Sequence, residues 1–140
     1  MLLILDTNVI SELMKPEAEP AVLAWFTRHT QAQFATTTIC QAEILGGLAM
    51  LPDGKRRRSM LAAAQEIWDI DLEQRVFTFD SPSAQAFADI LRRRKKAARP
   101  IQFVDAAIAA ICATHKAAII TRDTAGFESC GIKVINPWMD

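Results

Sequence analysis

The stretch that decides the fold is LLILDTNVIS, residues 2–11. Its unbroken apolar run, residues 2–5, predicts a strand that is buried on both faces, as in a parallel sheet covered by helices. The run stops at Asp6, and Thr7 and Asn8 follow at once. All three residue types cap helices, so one interpretation is a strand that turns directly into a helix. The other is that the strand end delivers a carboxylate to the crevice where open α/β sheets bind ligands.

The rest of the chain repeats this alternation of strand and helix. Short apolar or β-branched runs predict further strands at residues 34–37, 76–79, 117–120 and 133–135, and helical periodicity fills most of the segments between them. The alternation predicts an α/β fold with a central, mainly parallel five-stranded sheet and helices on its faces. No linker, repeat or low-complexity tract interrupts it, so we expect residues 1–140 to form one domain.

Two helix starts are marked by specific residues. Thr38, with Gln41 three positions later, matches a capping box and predicts a helix that carries Glu43 in its first two turns. Ser81 and Pro82 match a cap followed by a first-turn proline. The helix that they begin is expected to bury one apolar face, formed by Ala84, Phe87, Ala88 and Leu91.

Composition narrows the classes of protein to which the chain can belong. Half of its 140 residues are hydrophobic, and sixteen basic residues balance sixteen acidic ones, so no net charge attracts nucleic acid over a distance. The three cysteines lack a CxxC spacing, which indicates reduced thiols in the core. No basic segment precedes an apolar stretch, and no apolar run approaches the roughly 20 residues of a membrane span. We therefore expect a soluble, cytoplasmic protein.

Four acidic residues are brought together by this pattern. Asp6 follows the first predicted strand, and Asp123 ends the run IITRD after the fourth. Both strand ends lie at one edge of a parallel sheet, so the two carboxylates face the same crevice if the strands are neighbours. Glu43 and Asp105 lie near the starts of helices, and helices that follow parallel strands start at this same edge of the sheet. Each acid alone has an ordinary explanation as a cap, a turn residue or a solvated position, but the apolar neighbours of Glu43 and Asp105 favour a shared site.

Clustered carboxylates repel one another, and a divalent cation relieves that repulsion. No histidine or cysteine lies at ligand spacing beside the four acids, so an all-oxygen site indicates Mg²⁺ or Mn²⁺ rather than zinc. A metal-bound water and a cation beside a phosphoryl oxygen are what hydrolysis of a phosphodiester requires. Thr7, Asn8 and Thr121 are expected either to support the carboxylates by hydrogen bonding or to serve as ordinary caps and strand-end residues.

Four motifs, in order, carry a family resemblance: LDTNVIS at the start, AEILGG in the helix after the second strand, VDAAIAA, and ITRD with a following Phe. Together they resemble the PIN domain, in particular the VapC-type toxins of bacterial toxin–antitoxin pairs. The C-terminal NPW is similar to the FitB-like branch of these toxins. The resemblance covers essentially the whole chain.

The resemblance has implications for fold, activity and partners. It implies a three-layer α/β/α PIN-like fold and a metal-dependent ribonuclease that cleaves RNA. It assigns Asp6, Glu43, Asp105 and Asp123 as the acidic quartet that holds the metal and catalyses hydrolysis, with Thr121 as a supporting residue. It further implies a homodimer blocked by a cognate VapB-type antitoxin, with DNA contacted only through that antitoxin.

Local basic clusters offer places for a polyanion to bind. Ten of the sixteen basic residues fall within KRRR at residues 55–58 and RRRKKAAR at residues 92–99. The later cluster has two interpretations, phosphate contact or cations that complement the dipole at a helix end, and the earlier one favours a solvated face. The candidate RNA-binding residues are Arg92, Arg93, Arg94, Lys95, Lys96, Arg99 and Arg122.

Two other functions compete with the nuclease interpretation. A phosphatase or receiver domain also places an acid at a strand end, but the phosphatase pattern needs a second acid two residues on, where this chain has Asn8. A receiver domain needs an adjacent acidic pair and a later lysine. The second alternative is a non-catalytic binding partner of a DNA-binding antitoxin, in which the four acids hold a structural ion.

Overall fold

The central element of the fold is a sheet of five strands in the order β3-β2-β1-β4-β5. The computed structural model describes residues 1–140. Its strands are β1 (Leu2–Leu5), β2 (Gln33–Thr37), β3 (Val76–Phe77), β4 (Ala118–Ile120) and β5 (Val134–Ile135). Every pairing between them is parallel. The predicted α/β fold class with a parallel central sheet is confirmed.

Six α-helices connect the strands and complete the three-layer α/β/α arrangement. They are α1 (Thr7–Leu13), α2 (Pro20–Arg28), α3 (Thr38–Ala49), α4 (Lys55–Glu66), α5 (Ser81–Lys96) and α6 (Phe103–Thr114). Helix α4 runs directly into a π-helical segment, Ile67–Asp71. No helix combines the length and apolar character needed to cross a membrane.

Strand β1 occupies the middle of the sheet, which explains its unbroken apolar sequence. It pairs with β2 on one side and with β4 on the other, with Leu5 opposite Ile120. Leu3, Ile4 and Leu5 are each at most 1% exposed. A strand covered on both faces has no solvent side that would select polar residues, so the alternation typical of an exposed sheet is missing.

Helix α6 is the most deeply buried helix. Seven consecutive residues, Ala106–Cys112, are fully buried. Four of them are alanines, and such small side chains let neighbouring elements approach closely; α6 packs against α5, α3 and β4. Val104, which the periodicity placed on the buried face, is 37% exposed because it lies in the first turn before the helix enters the core. Asp105 follows it at the mouth of the site described below.

The caps of α3 and α5 lie one residue before the predicted positions. Thr37, not Thr38, caps α3, because its hydroxyl accepts the backbone N–H of Cys40 at 3.0 Å. Asp80, not Ser81, caps α5, and its Oδ1 accepts the backbone N–H of Ser83 at 3.1 Å. A charged carboxylate at a helix N-terminus gains from the helix dipole as well as from the hydrogen bond, so Asp80 is preferred over its hydroxyl neighbour.

The predicted buried face of α5 is also wrong. Ala84 and Ala88 are exposed and Leu91 is 41% exposed, whereas Phe87 is half-buried. The buried positions are Ser83, Ile90 and Arg94. The sequence pattern misleads here because two of the three core-facing residues are polar, so an apolar count selects the adjacent face.

Arg94 is a buried cation whose guanidinium is used entirely inside the protein. It is 5% exposed. Its nitrogens donate to the carbonyl oxygens of five residues: Ala125, Gly126, Glu128, Arg99 and Pro100. Arg94 therefore joins the end of α5 to the loop after β4. It cannot contact RNA without losing these bonds, so its assignment to the RNA-binding set is corrected.

The remaining conspicuous residues are structural, as predicted. Cys40, Cys112 and Cys130 are buried free thiols. His29 stacks on the buried Trp25 with ring centroids 4.0 Å apart, and His115 stacks on Phe77 at the same distance. Both histidines thus lie at the edge of the core.

We predict that Arg94→Met lowers the free energy of unfolding by roughly 2–4 kcal/mol, because it leaves buried carbonyl oxygens without their donor. Arg92→Met is the matched control, since Arg92 is exposed on the same helix, and it should change stability by less than about 0.5 kcal/mol. Urea denaturation of both variants measures the difference. Equal stabilities would show that the Arg94 network does not hold the loop.

Candidate active site

The site begins where β1 and β4 end side by side. Because Leu5 pairs with Ile120, Asp6 and Thr121 emerge next to each other at the carboxyl edge of the sheet. The backbone N–H of Asp6 donates to the carbonyl of Ile120 at 2.9 Å, so the hydrogen bonding between β1 and β4 extends one residue beyond β1. The first and fourth strands are neighbours, which is the condition under which the sequence analysis placed Asp6 and Asp123 together.

Asp6 caps a helix and also places its carboxylate at the end of a strand, which are the two roles that the sequence analysis considered. It is the N-cap of α1, and its Oδ1 accepts the backbone N–H of Thr7 at 2.8 Å. Its Oδ2 accepts the hydroxyl of Thr121 at 2.7 Å. The side chain is 6% exposed. Helix capping thus fixes one oxygen of the Asp6 carboxylate, and the carboxylate lies buried at the carboxyl edge of the sheet.

The Thr121 hydroxyl connects the two strand ends. It donates to Asp6, and it accepts the backbone N–H of Asp123 at 3.0 Å and the Asn8 Nδ2 at 3.1 Å. One donor and two acceptor lone pairs are all that a hydroxyl has, so its bonding capacity is filled. Asn8 adds a second link, because its Oδ1 accepts the backbone N–H of Arg122 at 3.1 Å. The loop after β4 is thereby fixed to the start of α1.

Glu43 reaches the site from the second turn of α3. Its side chain is exposed, and its Oε1 accepts the hydroxyl of Thr7 at 2.6 Å. Thr7 belongs to the first turn of α1, so this bond joins two helices at the rim of the crevice. The predicted supporting residues Thr7, Asn8 and Thr121 all contact either an acid of the site or the loop that carries one.

Asp123 and Asp105 complete the acidic set from the other side. Asp123 is exposed in the loop after β4, and its Oδ1 accepts the backbone N–H of Gly126 at 3.2 Å. A Cβ on Gly126 would lie only 2.6 Å from Asp123 Oδ2, so any other residue here would displace the Asp123 carboxylate. Asp105 is half-buried in the first turn of α6. Gly126 was not anticipated from the sequence, since nothing in TRDTAG by itself reveals the close contact.

The acids interact through their charges. Burial raises the pKa of Asp6; hydrogen bonds from Thr121 and Thr7 oppose the rise, and the charges of Glu43 and Asp123 add to it. Burial likewise raises the pKa of Asp105, followed by the charges of Asp6, Asp123 and Glu43, with only the Arg94 guanidinium acting against them. The ionised cluster is therefore electrostatically unfavourable by itself, and a bound cation would relieve it.

The donor set fits a hard divalent cation. Oxygen atoms of Asp6 and Glu43 lie within 4.8 Å of each other and of the Cys40 Sγ, whereas Asp105 and Asp123 fall outside this tightest group. Burial raises the pKa of the Cys40 thiol to about 11, and its Sγ lies 3.9 Å from Asp6 Oδ1 as a weak donor. A neutral thiol is a poor ligand, so the usable donors are carboxylate oxygens, which suit Mg²⁺ or Mn²⁺.

The predicted RNA-binding residues do not form one uniform surface. Arg92, Arg93, Lys95 and Lys96 are exposed at the end of α5. Arg99 forms an ion pair with Glu128 at 2.5 Å. Arg122 precedes Asp123 in the chain, and its guanidinium carbon is 5.0 Å from the centre of the Trp138 ring. This cation–π contact, in which Trp138 of the C-terminal NPW segment takes part, was not anticipated from the sequence.

Comparison with known proteins agrees with this geometry. The family model of the PIN domain matches residues 3–132. The chain is 38% identical over 137 residues to VapC ribonuclease Y4jK of Sinorhizobium fredii, with 98% of each chain covered. It is 32% identical over 139 residues to toxin FitB of Neisseria gonorrhoeae, with 99% of this chain and all of FitB covered.

Solved structures give the same result. The crystal structure of FitAcB from Neisseria gonorrhoeae superposes with a TM-score of 0.83 at 31% sequence identity and covers 99% of both chains. The structure of FitAB bound to an IR36 DNA fragment superposes with a TM-score of 0.87, also at 31% identity, and covers 97% of this chain and 95% of that one. The resemblance seen in the four sequence motifs is confirmed, and the chain belongs to the PIN-domain family, in the branch that contains the VapC and FitB toxins.

Proposed function

We propose that this chain is a metal-dependent endoribonuclease that hydrolyses RNA phosphodiester bonds and acts as the toxin of a toxin–antitoxin pair. The observation that carries the proposal is that Asp6, Glu43, Asp105 and Asp123 come from four separate parts of the chain to one edge of the sheet. Thr7 hydrogen-bonds to both Asp6 and Glu43, and the Thr121 hydroxyl hydrogen-bonds to both Asp6 and the backbone of Asp123. The charges of the other three acids add to the rise in the pKa of Asp105. The family membership supports it, because one relative is named a VapC ribonuclease and another a toxin.

The four acids are proposed to hold Mg²⁺ or Mn²⁺. When bound, the ion supplies Lewis acidity: it lowers the pKa of a coordinated water and neutralises charge on a phosphoryl oxygen. Thr121 and the α1 N-terminus hold the Asp6 carboxylate in a single orientation through its two oxygens. Thr7 orients Glu43 in the same way. Such fixed donors mean that little reorganisation is needed during the reaction.

The phosphate backbone of the RNA is proposed to run over the basic residues near this edge. Arg122 is the best placed, because it precedes Asp123 and rests on the Trp138 ring. The exposed cations at the end of α5 and in the segment after it extend the path, namely Arg92, Arg93, Lys95, Lys96 and Arg99. Each such contact adds affinity that falls as salt concentration rises.

We further propose that the chain forms a homodimer and is neutralised by a cognate VapB-type antitoxin, through which alone it is brought to DNA. The support is the likeness to the chain of the FitAB structure, which is bound to a DNA fragment. The charge balance of this chain agrees with the second part, since a net charge of zero gives no general attraction for DNA.

We predict that Asp6→Asn abolishes Mn²⁺-dependent RNA cleavage and keeps the fold, because asparagine also caps helices. Asp80→Asn is the matched control: Asp80 is likewise an aspartate N-cap, but of α5. Cleavage of a labelled single-stranded RNA should fall at least about 100-fold only in the Asp6 variant. Equal cleavage by Asp6→Asn and the parent would favour the non-catalytic role with a structural ion.

We predict that Mg²⁺ or Mn²⁺ raises the melting temperature, because it removes repulsion that only the folded protein has. At tenfold above its dissociation constant the ion adds about 1.4 kcal/mol, or roughly 3–5 °C. The increase should be smaller at pH 5 than at pH 7.5, since the pKa values of Asp6 and Asp105 are raised and protons then compete with the metal. Asp105→Asn should reduce it. A melting temperature independent of metal would argue against a shared site.

We predict that Gly126→Ala lowers the cleavage rate roughly 10- to 100-fold, because the new methyl group displaces the Asp123 carboxylate. Gly46→Ala is the control, as its Cβ would have no neighbour within 4 Å. In the absence of metal, Gly126→Ala should melt close to the parent, and Gly46→Ala should melt no lower than the parent, because alanine is favoured over glycine inside a helix. Unchanged kcat in Gly126→Ala would mean that the position of Asp123 does not matter for cleavage.

A further inference from the structure

A cleft of about 790 Å³ has Arg122 and Trp138 in its wall. The rest of its lining comes from the end of α1, the start of α2 and the segment between these two helices. The volume lies within the roughly 300–1,000 Å³ that small-molecule sites occupy. None of the four proposed metal ligands lines this cleft, which we call the Arg122 cleft.

Strand β5 and the turn after it place Trp138 next to Arg122. The carbonyl of Ile135 in β5 accepts the backbone N–H of Thr121 at 2.9 Å, so the end of β5 lies beside the residue before Arg122. The chain then turns, and the backbone N–H of Trp138 donates to Asn136 Oδ1 at 2.9 Å. Trp138 also packs against the hydrophobic core. Its ring is therefore a fixed surface, and the Arg122 guanidinium carbon lies 5.0 Å from the ring centre.

Helix α1 holds Arg122 from a second direction. Asn8 Oδ1 accepts the backbone N–H of Arg122, and Glu12 lines the same cleft as the Arg122 side chain. Hydrogen bonds from Lys15 and from the backbone of Glu19 lower the pKa of Glu12, and the charges of Lys15 and Arg122 add to this effect. Each Glu12 oxygen already accepts a hydrogen bond at 3.0 Å, and the ion pair of Glu12 is with Lys15. Glu12 thus attracts Arg122 without occupying its donors.

The guanidinium of Arg122 is held in place while its hydrogen-bond donors stay free. It is exposed, and it forms no ion pair or side-chain hydrogen bond within the protein. Arg94, by contrast, donates to carbonyl oxygens, and Arg99 pairs with Glu128. A guanidinium presents its N–H groups as a planar fork that fits a phosphate. Arg122 is therefore suited to bind a phosphate with little further ordering of its side chain.

The Arg122 cleft lies about one helical turn from the acids along α1. Asn8 contacts both places, because its Nδ2 donates to Asp6 Oδ2 at 3.4 Å and its Oδ1 holds the Arg122 backbone. Glu12, which lines the cleft, comes four residues after Asn8 on the same helix. Four residues of α-helix rise about 6 Å, which is close to one backbone repeat of an extended single strand. A phosphate held at the acids therefore has its neighbour within reach of Arg122.

We propose that the Arg122 cleft binds the nucleotide next to the scissile phosphate of RNA, with Arg122 on that nucleotide's phosphate and Trp138 as the positioning residue that holds the guanidinium. The inference rests on the proposed nuclease function. It adds to that function a role for Trp138, which acts through Arg122 and does not contact the reacting atoms.

The charges of the cleft favour one nucleotide over a longer stretch of RNA or a basic peptide. Arg122 is the one unpaired cation in the lining, since Lys15 is paired with Glu12. Glu17 and Glu19 are exposed in the lining and repel a second phosphate. A basic peptide would be attracted by these carboxylates, but it would bring like charge to Arg122, whose donors are the free ones.

The test is a double-mutant cycle on the binding of a labelled single-stranded RNA hexamer. Fluorescence anisotropy is measured in Ca²⁺, which takes oxygen ligands and activates bound water less than Mg²⁺ or Mn²⁺ does. Arg122→Met should weaken binding roughly tenfold, because a charged hydrogen bond is lost. Trp138→Leu should weaken it about two- to fivefold, as expected for loss of a cation–π contact. In the Arg122→Met background, Trp138→Leu should have no further effect.

Two further variants separate positioning from a merely structural role. Trp138→Phe keeps an aromatic face and should recover most of the affinity that Trp138→Leu loses; it also replaces Trp138→Leu in the cycle if that variant does not fold. Lys133→Met is the charge control, because Lys133 is exposed at the opposite end of β5, and it should bind RNA like the parent. The slope of log Kd against log salt should fall by about 0.7 in Arg122→Met only.

Three results would overturn the proposal. The first is RNA affinity that is absent in the parent or unchanged in Arg122→Met. The second is an equal loss from Trp138→Leu in the parent and in the Arg122→Met background, which would mean that Trp138 acts independently of Arg122. The third is that these variants lose affinity only for an arginine-rich peptide, which would make the cleft a protein-binding site.

The outcomes separate this inference from the proposed function. If the parent cleaves no RNA in Mn²⁺, the nuclease function fails, while the binding cycle still decides whether the cleft takes a nucleotide. If the parent cleaves RNA and Arg122→Met cleaves it with the same KM and kcat, the Arg122 cleft is wrong as a nucleotide site and the nuclease function stands.

Discussion

The hydrogen bond from Thr121 to Asp6 joins residues that lie 115 positions apart in the chain, and the candidate site depends on it. It exists because β1 and β4 are paired in the middle of the sheet, so that both strands end at the same level. The same hydroxyl receives the backbone N–H of Asp123 and so fixes the start of the loop that carries the third acid. Strand pairing thus sets where Asp6 lies and, through one side chain, where Asp123 lies.

The fold concentrates like charge at this edge and compensates for it nearby. Arg94 is the only cation that lowers the pKa of Asp105 among the main contributions, and it does so from a buried position where its bonds go to carbonyl oxygens. It therefore supports the loop after β4 without occupying the crevice. None of the four acids forms an ion pair within the protein, so their carboxylates are available to the proposed metal ion.

The sequence predicts well those strands and helices that are surrounded by the hydrophobic core on all sides. Strand β1 and helix α6 are surrounded by core, so their apolar runs are unbroken, and the acids at their ends stand out. Helix α5 was assigned the wrong buried face because Ser83 and Arg94 are polar residues in core-facing positions. Ser83 is satisfied by the nearby cap residue Asp80, and Arg94 by carbonyl oxygens that include that of Glu128 in the loop after β4. The close approach of Gly126 to Asp123 depends on the conformation of the loop after β4, which Asn8 and Arg94 hold from distant parts of the chain, and no local pattern encodes it.

The position of β1 also has a consequence for biosynthesis. Strand β1 is the centre of the sheet, but its partner β4 is made from residues 118–120, which are synthesised long after it. Pairing between segments so far apart is slow to form and must wait until the later one has left the ribosome. An incomplete nascent chain therefore lacks both Asp123 and the strand that orders Asp6. For a proposed RNA-degrading enzyme, this order of assembly means that the acidic site cannot form before β4 and the loop after it have been synthesised.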